Sequence, residues 1–323
     1  MRLLDAGWGG IFGGLCPCRA SAEEICQKRF GKGSIRMSEL SNISVIRSVL
    51  ERHGFRFSKA LGQNFLVNPS VCPRMAAQSG AGPGVGVLEI GPGIGVLTRE
   101  LSALAEKVVS IELDERLLPV LEETLSGYGN VKIVHGDVMK VDLKKLLDEE
   151  FSGMEIVVCA NLPYYITSPV IMRLLEDKLP IRALTVMVQK EAADRLCAQP
   201  GTRACGAVSM AVQYYAEPEI LFQVSRRSFL PPPNVDSSVI RLQLREKPPV
   251  RIRDEKLFFR LVKAAFGQRR KTVLNAAAAG LSLEKSRMES VCREAGVLPS
   301  SRAEQLSLEE FAALSNALTE ERG

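Results

Sequence analysis

Between residues 85 and 198, short apolar runs alternate with stretches of helical apolar spacing, and this alternation restricts the fold more than any other feature of the chain. The runs at 85–90, 107–113, 131–135, 155–160 and 183–189 are rich in Val, Ile and Leu, as strands buried on both faces are. Segments 94–105, 115–125, 141–149, 168–175 and 191–198 read as the intervening helices. Strand, helix and strand in repeated order build a parallel sheet with helices on both faces, so the expected fold class is α/β. Upstream, 40–53 has helix-like spacing ended by His53-Gly54, and Asn68-Pro69 reads as an N-cap followed by Pro at the first helical position. Runs at 219–224 and 235–244 flank Phe229-Leu230-Pro231-Pro232-Pro233 and point to a final antiparallel pair. Lys247-Pro248-Pro249 marks a linker, after which 256–267, 272–279, 286–295 and 308–318 read as a small C-terminal helical domain. The expected division is therefore 37–247 and 248–323.

Residues 1–36 stand apart, being Gly-rich and without clear periodicity. Asp5 and the glycines spoil the apolar core of a signal peptide, and Met37 is a natural start, so this segment is expected to be a disordered or mis-assigned extension. No apolar run reaches membrane-spanning length without interruption, so no membrane role is expected. The eight cysteines are scattered, with no CxxC pair, and there are only two histidines. That disfavours a zinc site and fits a reduced, cytoplasmic protein. Net charge is +5, unevenly spread: residues 225–275 hold thirteen Lys or Arg against four Asp or Glu. Such a block suits a polyanion such as nucleic acid, or is simply a solvated helix face; charge alone does not separate the two.

The ends of the predicted strands carry the chemistry. The first runs into Gly91-Pro92-Gly93-Ile94-Gly95, where glycines let the backbone turn sharply and approach a ligand. Val96 stands where a dinucleotide fingerprint has its third glycine, so the motif alone leaves open a dinucleotide, S-adenosylmethionine or a mere tight turn. Glu112 ends the second strand, placed to accept from ribose hydroxyls, with Asp114 a candidate helix cap. Asp137 follows the third and is suited to an adenine amine. Asn161-Leu162-Pro163-Tyr164 follows the fourth. An amide, backbone carbonyls aimed by a proline, and an aromatic face can hold a flat ring that bears an amine; the plainer reading is a strand-to-turn junction. In an open α/β sheet all four tips face one crevice.

Taken together, GPGIG, the IELD segment with Glu112, GDV with Asp137, and NLPYYI resemble an S-adenosylmethionine-dependent adenine N6-methyltransferase. Leu61-Gly62-Gln63-Asn64-Phe65-Leu66, the stretch from Phe229 to Ser237, and Ala265-Phe266-Gly267-Gln268-Arg269-Arg270-Lys271-Thr272 narrow the resemblance to the ribosomal RNA adenine N6-dimethyltransferase family, over residues 40–318. The resemblance implies a Rossmann-like methyltransferase sheet that binds S-adenosylmethionine, and an enzyme that dimethylates two adjacent adenosines near the 3′ end of 16S rRNA. Its partner would be that rRNA within an assembling small ribosomal subunit, with the protein acting as a monomer. Carried onto this chain, Asn64, Leu66, Gly91, Gly93, Glu112, Asp137 and Asn161 would bind the cofactor. Asn161, Leu162, Pro163 and Tyr164 would hold the target adenine, with Phe229 on its opposite face. Arg226, Arg227, Arg269, Arg270 and Lys271 are the expected phosphate contacts, though the last three also read as an exposed helix end. Alternatives are a large-subunit (23S) rRNA adenine methyltransferase, a DNA adenine methyltransferase, and a ribosome-assembly factor whose catalysis is secondary. An NAD enzyme is disfavoured by the missing third glycine and the lack of a nearby catalytic His.

Overall fold

The computed structural model describes residues 40–56 and 63–320. The expected extension at 1–36 lies outside them, as do Leu61 and Gly62 of the motif that continues through Leu66. Seven strands make the central sheet: β2 (Val85–Ile90), β3 (Lys107–Glu112), β4 (Val131–His135), β5 (Glu155–Asn161), β6 (Ala183–Gln189), β7 (Ala216–Val224) and β9 (Ser237–Leu244). Their spatial order is β4-β3-β2-β5-β6-β9-β7. The first five are parallel, and β9 runs antiparallel to β6 and β7 on either side of it. The chain builds outward from β2 to β4, then returns to the other flank of β2 to lay down β5. That reversal opens a crevice outside the carboxyl ends of β2 and β5.

Alternate strand residues explain why the sequence runs are apolar throughout. Leu88, Ile90, Val158 and Ala160 enter one core, shared with α5 (Leu143–Glu150), α6 (Thr167–Glu176) and α7 (Lys190–Leu196). Val85, Val87, Val157 and Cys159 enter the other, against α2 (Val71–Gln78) and α3 (Val96–Leu104). A third cluster joins α1 (Ile43–Arg52) to α4 (Leu118–Leu125) over Phe65 and Ile94. The central strands β2 and β5 are thus covered on both faces, whereas β4, expected to be buried too, is an edge strand with no buried residue.

Several boundaries differ from the sequence reading for physical reasons. The helix expected from 94 begins at Val96, because Gly93 and Gly95 take φ of +61° and +86° to make the turn. Asn68 does not cap α2: its Oδ1 accepts from the Ser70 backbone N–H (3.1 Å) and hydroxyl (2.9 Å), forming a turn two residues ahead of Val71. The run 115–125 divides into a 3-10 turn, Glu115–Leu117, and α4, whose first turn holds Pro119. Asp114 does cap that turn, accepting from the Arg116 N–H at 3.1 Å. Two features escape the sequence reading. One is the ladder β1 (Phe65–Leu66) with β8 (Phe229–Leu230), too short to show periodicity. The other is α8 (Ala207–Tyr215), buried at Ser209, Met210, Ala211, Val212, Gln213 and Tyr214, so that it has no polar face to betray it.

The C-terminal helices are α9 (Glu255–Phe266), α10 (Val273–Leu281), α11 (Lys285–Glu294) and α12 (Leu308–Glu320). Asp254 caps α9 by accepting from the Leu257 N–H at 3.0 Å, and Thr272 caps α10 through the Asn275 N–H at 3.4 Å. Phe258, Leu261, Val273, Met288 and Phe311 form their core, which also takes in Met210 and Tyr214 of α8. Val212 of the same helix enters the sheet core, so α8 belongs to both. Glu255 reinforces the junction, accepting from Tyr215 Oη at 2.7 Å and pairing with Lys178 Nζ at 2.8 Å.

Candidate active site

At the carboxyl ends of β2, β3 and β5 lies a cavity of about 270 Å³. Gly91, Gly93, Glu112, Asp137, Asn161, Leu162, Pro163 and Tyr164 line it, together with Leu66 and Phe229 of the β1–β8 ladder and Asn64 just before it. Every adenine and cofactor position expected from sequence therefore meets at one place. The five phosphate candidates do not line it. Arg226 and Arg227 stand exposed on the 3-10 turn Arg226–Ser228 immediately before Phe229. Arg269, Arg270 and Lys271 are exposed in the turn between α9 and α10 rather than on a helix.

On the β2 side the backbone is shaped by glycine. Gly91 has φ +69°, and its N–H donates to the Ile111 carbonyl at 3.0 Å. A Cβ at Gly93 would come within 3.2 Å of the Phe65 ring, so the absence of a side chain eases the close approach of the turn and β1. Glu112 is buried, and its Oε1 accepts from the Asp114 N–H at 2.8 Å. Burial pushes its pKa up, and N–H donors from Asp114, Gly93 and Leu113 oppose that rise. Asp114 is held as an anion: the Arg116 guanidinium grips both oxygens (2.8 and 2.6 Å), and Gln63 Nε2 donates to Oδ2 at 2.7 Å. Gln63 thereby fastens the approach to β1 onto the end of β3. Asp137 keeps one oxygen on the Met139 N–H at 2.9 Å, with Lys140 Nζ 3.6 Å from the other.

On the β5 side, Asn161 pairs in register with Met187, and the following Leu162 N–H donates to the Met187 carbonyl at 3.2 Å. That fixes the backbone of Asn161 while its side chain lines the cavity with no hydrogen-bond partner among the described residues. Pro163 starts the 3-10 turn Tyr164–Ile166, and its carbonyl accepts from the Ile166 N–H and the Thr167 hydroxyl, both at 3.2 Å. The Leu162 carbonyl, by contrast, is not engaged by that turn. Tyr164 Oη lies 2.8 Å from Ser237 Oγ. Phe229 is 4% exposed and packs into the sheet core while also lining the cavity.

The sequence of the ribosomal RNA adenine dimethylase family matches residues 54–320. The chain belongs to that family. Among its relatives, the ribosomal RNA small subunit methyltransferase A of Geobacillus sp. (strain WCH70) is 52% identical over 276 residues, 84% of this chain and 95% of the relative. The protein of the same name from Bacillus cytotoxicus is 48% identical over 286 residues, 87% of this chain and 98% of the relative. Of solved structures, a dimethyladenosine transferase from Plasmodium falciparum superposes with TM-score 0.64 at 25% identity, covering 77% of this chain and 95% of that one. The 23S rRNA methyltransferase ErmE gives TM-score 0.60 at 28% identity, covering 79% and 100%. In this family member the cavity also touches residues that sequence reasoning passed over. Glu89, next to last in β2, is 1% exposed, and its Oε2 accepts from the Thr98 and Ser110 hydroxyls, each at 2.7 Å. A carboxylate inside an apolar run is a legible signal for it. Tyr165, 52% exposed, also lines the cavity, and the sequence marked it only as part of the NLPYYI motif.

Proposed function

We propose that this protein transfers methyl groups from S-adenosylmethionine to the N6 amines of two adjacent adenosines near the 3′ end of 16S rRNA, in an assembling small ribosomal subunit. In this reading it works as a cytoplasmic monomer without a membrane role; among the described residues no helix is long and apolar enough to cross a bilayer. The observation that carries the proposal is the Asn161 amide, without a hydrogen-bond partner among the described residues, at the strand-order reversal, in one cavity with Tyr164, Phe229, Gly91, Glu112 and Asp137. Relatives about 50% identical across nearly their whole length bear small-subunit names, whereas the large-subunit enzyme ErmE is 28% identical, which favours the small-subunit target.

The residues present fit the cofactor. Left-handed Gly91 and Gly93 bring bare backbone to the cavity wall, and two carboxylates, Glu112 and Asp137, line it as acceptors for hydroxyls and an amine. In this reading Asn64, Leu66, Gly91, Gly93, Glu112, Asp137 and Asn161 hold S-adenosylmethionine. When bound, it supplies an electrophilic methyl on a sulfonium whose leaving group is neutral. The chain's own residues address the nucleophile, an amine whose lone pair is delocalised into the purine. In the first transfer Asn161 Oδ1 and the Leu162 carbonyl accept the two amine hydrogens, favour a more pyramidal nitrogen and aim its lone pair. The methylated amine keeps one hydrogen for one of these acceptors in the second, and each transfer releases one N6 proton to solvent. No general acid is required. One such acceptor is worth roughly 3–4 kcal/mol, by analogy with an oxyanion-hole donor.

Flipping the base out of its stack costs a few kcal/mol. Stacking on Tyr164 and Phe229, at about 1–3 kcal/mol per base, offsets it. Arg226, Arg227, Arg269, Arg270 and Lys271 supply phosphate contacts, and the helices after residue 248 form the RNA-recognition part. The test is transfer of labelled methyl to small-subunit particles, large-subunit RNA and DNA, with the modified base mapped. Label is expected in small-subunit particles alone, on adenine N6. Asn161→Ala is expected to lower kcat by roughly 10²–10³-fold at unchanged melting temperature. Label in large-subunit RNA instead would overturn the assignment.

A further inference from the structure

Tyr164 has little of its own to hold it still. It sits on a single 3-10 turn, Tyr164–Ile166, none of whose residues is buried. A ring presented to a base from such a turn can swing about its side-chain torsions, and a swing of the stacking face displaces everything stacked on it. Among the described residues one polar contact restrains the side chain: Tyr164 Oη to Ser237 Oγ, 2.8 Å.

Ser237 is unusually well fixed. It is fully buried and opens β9, where it pairs with Gln189 of β6 on one side and Val224 of β7 on the other. The preceding Asp236 is tied twice more: its carbonyl accepts from the Lys190 N–H at 3.0 Å and its carboxylate from the Arg226 N–H at 2.9 Å. The hydroxyl that meets Tyr164 therefore projects from an interior strand with neighbours on both edges. The chain segment that ends at Ser237 begins at Phe229, so it carries one aromatic wall of the cavity at its start and restrains the other at its end.

We infer that Ser237 is a positioning residue for methyl transfer: its hydroxyl sets the tilt of the Tyr164 ring, and the segment from Phe229 to Ser237 thereby fixes both aromatic faces against the target base. This rests on the reading of Tyr164 as a base-stacking residue. Ser237 touches neither base nor cofactor, and its effect runs through Tyr164.

The experiment is a double-mutant cycle on single-turnover methyl transfer with wild type, Ser237→Ala, Tyr164→Phe and the double variant. Each single change removes the same hydrogen bond from one end, so each is expected to slow transfer by about tenfold, and the double variant by no more than either. Ser237→Thr, which keeps a hydroxyl, is expected to recover most of the rate. Melting temperature and calorimetric binding of S-adenosylmethionine should stay at wild-type values in Ser237→Ala. Tyr164→Phe leaves the buried serine untouched, so it carries the test even if Ser237→Ala folds poorly. A wild-type rate in Tyr164→Phe, or a Ser237→Ala defect equally large in the Tyr164→Phe background, would overturn the inference. Tyr164→Ala separates the two layers: if it transfers at the wild-type rate, the stacking reading itself fails, whereas if it is slow while Ser237→Ala and Tyr164→Phe are not, only the tether does.

Discussion

Glu89 sits in the interior of β2, and burial pushes its pKa from 4.5 up to about 7 despite the two hydroxyls that favour its charged form. The folded protein holds this proton more tightly than the unfolded chain does. The stabilisation is therefore complete below about pH 4.5 and is lost progressively as pH rises to about 7, a total of about 3 kcal/mol. Chemical denaturation of the cofactor-free protein at pH 5 and pH 8 should show it. Between those values wild type is expected to lose about 2–3 kcal/mol more than Glu89→Gln, which cannot titrate. Equal losses would show that Glu89 ionises in the folded protein as easily as in the unfolded chain. The sequence displayed the charge in an apolar run but not its partners, because Ser110 lies across from Glu89 only once β2 and β3 pair in register. Asn161 was legible for the opposite reason: a polar amide that directly follows an apolar run marks a strand tip without any knowledge of pairing. Ser237 closed a recognised motif, but its contact with Tyr164 was not legible, since it joins residues far apart in the chain.

Among elements, the strands Val85–Ile90, Val131–His135 and Ala183–Gln189 were read to the residue, the first two because a glycine breaks the run at once. Helices that begin in special turns were displaced, and α8 was missed because burial on all sides erases amphipathic spacing. Close helix crossings were likewise hidden. Gly280 in α10 lies over Ala264 of α9, and a Cβ built there would stand 2.5 Å from the Ala264 Cβ. Two effects oppose each other in Gly280→Ala. Helix propensity favours Ala by about 1 kcal/mol, while forcing the backbones apart costs roughly 1–3 kcal/mol. The clash is with a backbone-proximal atom that has no rotamer to escape into, so overpacking is expected to win. Gly280→Ala should melt below wild type by thermal denaturation; a higher melting temperature would show that the crossing yields freely.

For the whole molecule, the sequence marked a seam at the Pro-rich stretch near 248, but packing does not stop there. Ala198, Cys205, Met210 and Tyr214 all lie in the core of the C-terminal helices. Tyr214 also makes a T-shaped contact with Phe259 at 5.2 Å and a tilted one with Phe258 at 5.5 Å. A chain ending at Lys247 is expected to expose this apolar patch, bind a hydrophobic dye and elute as aggregates in size-exclusion chromatography. A monodisperse, dye-free fragment would mean that α8 is content without its C-terminal partners. Helix α8 has a consequence for exchanging parts between relatives. A chimera meant to retarget this scaffold by grafting another recognition module should be joined upstream of Ala207, since a splice at the prolines would force one protein's helix to serve as the floor of a stranger's interior.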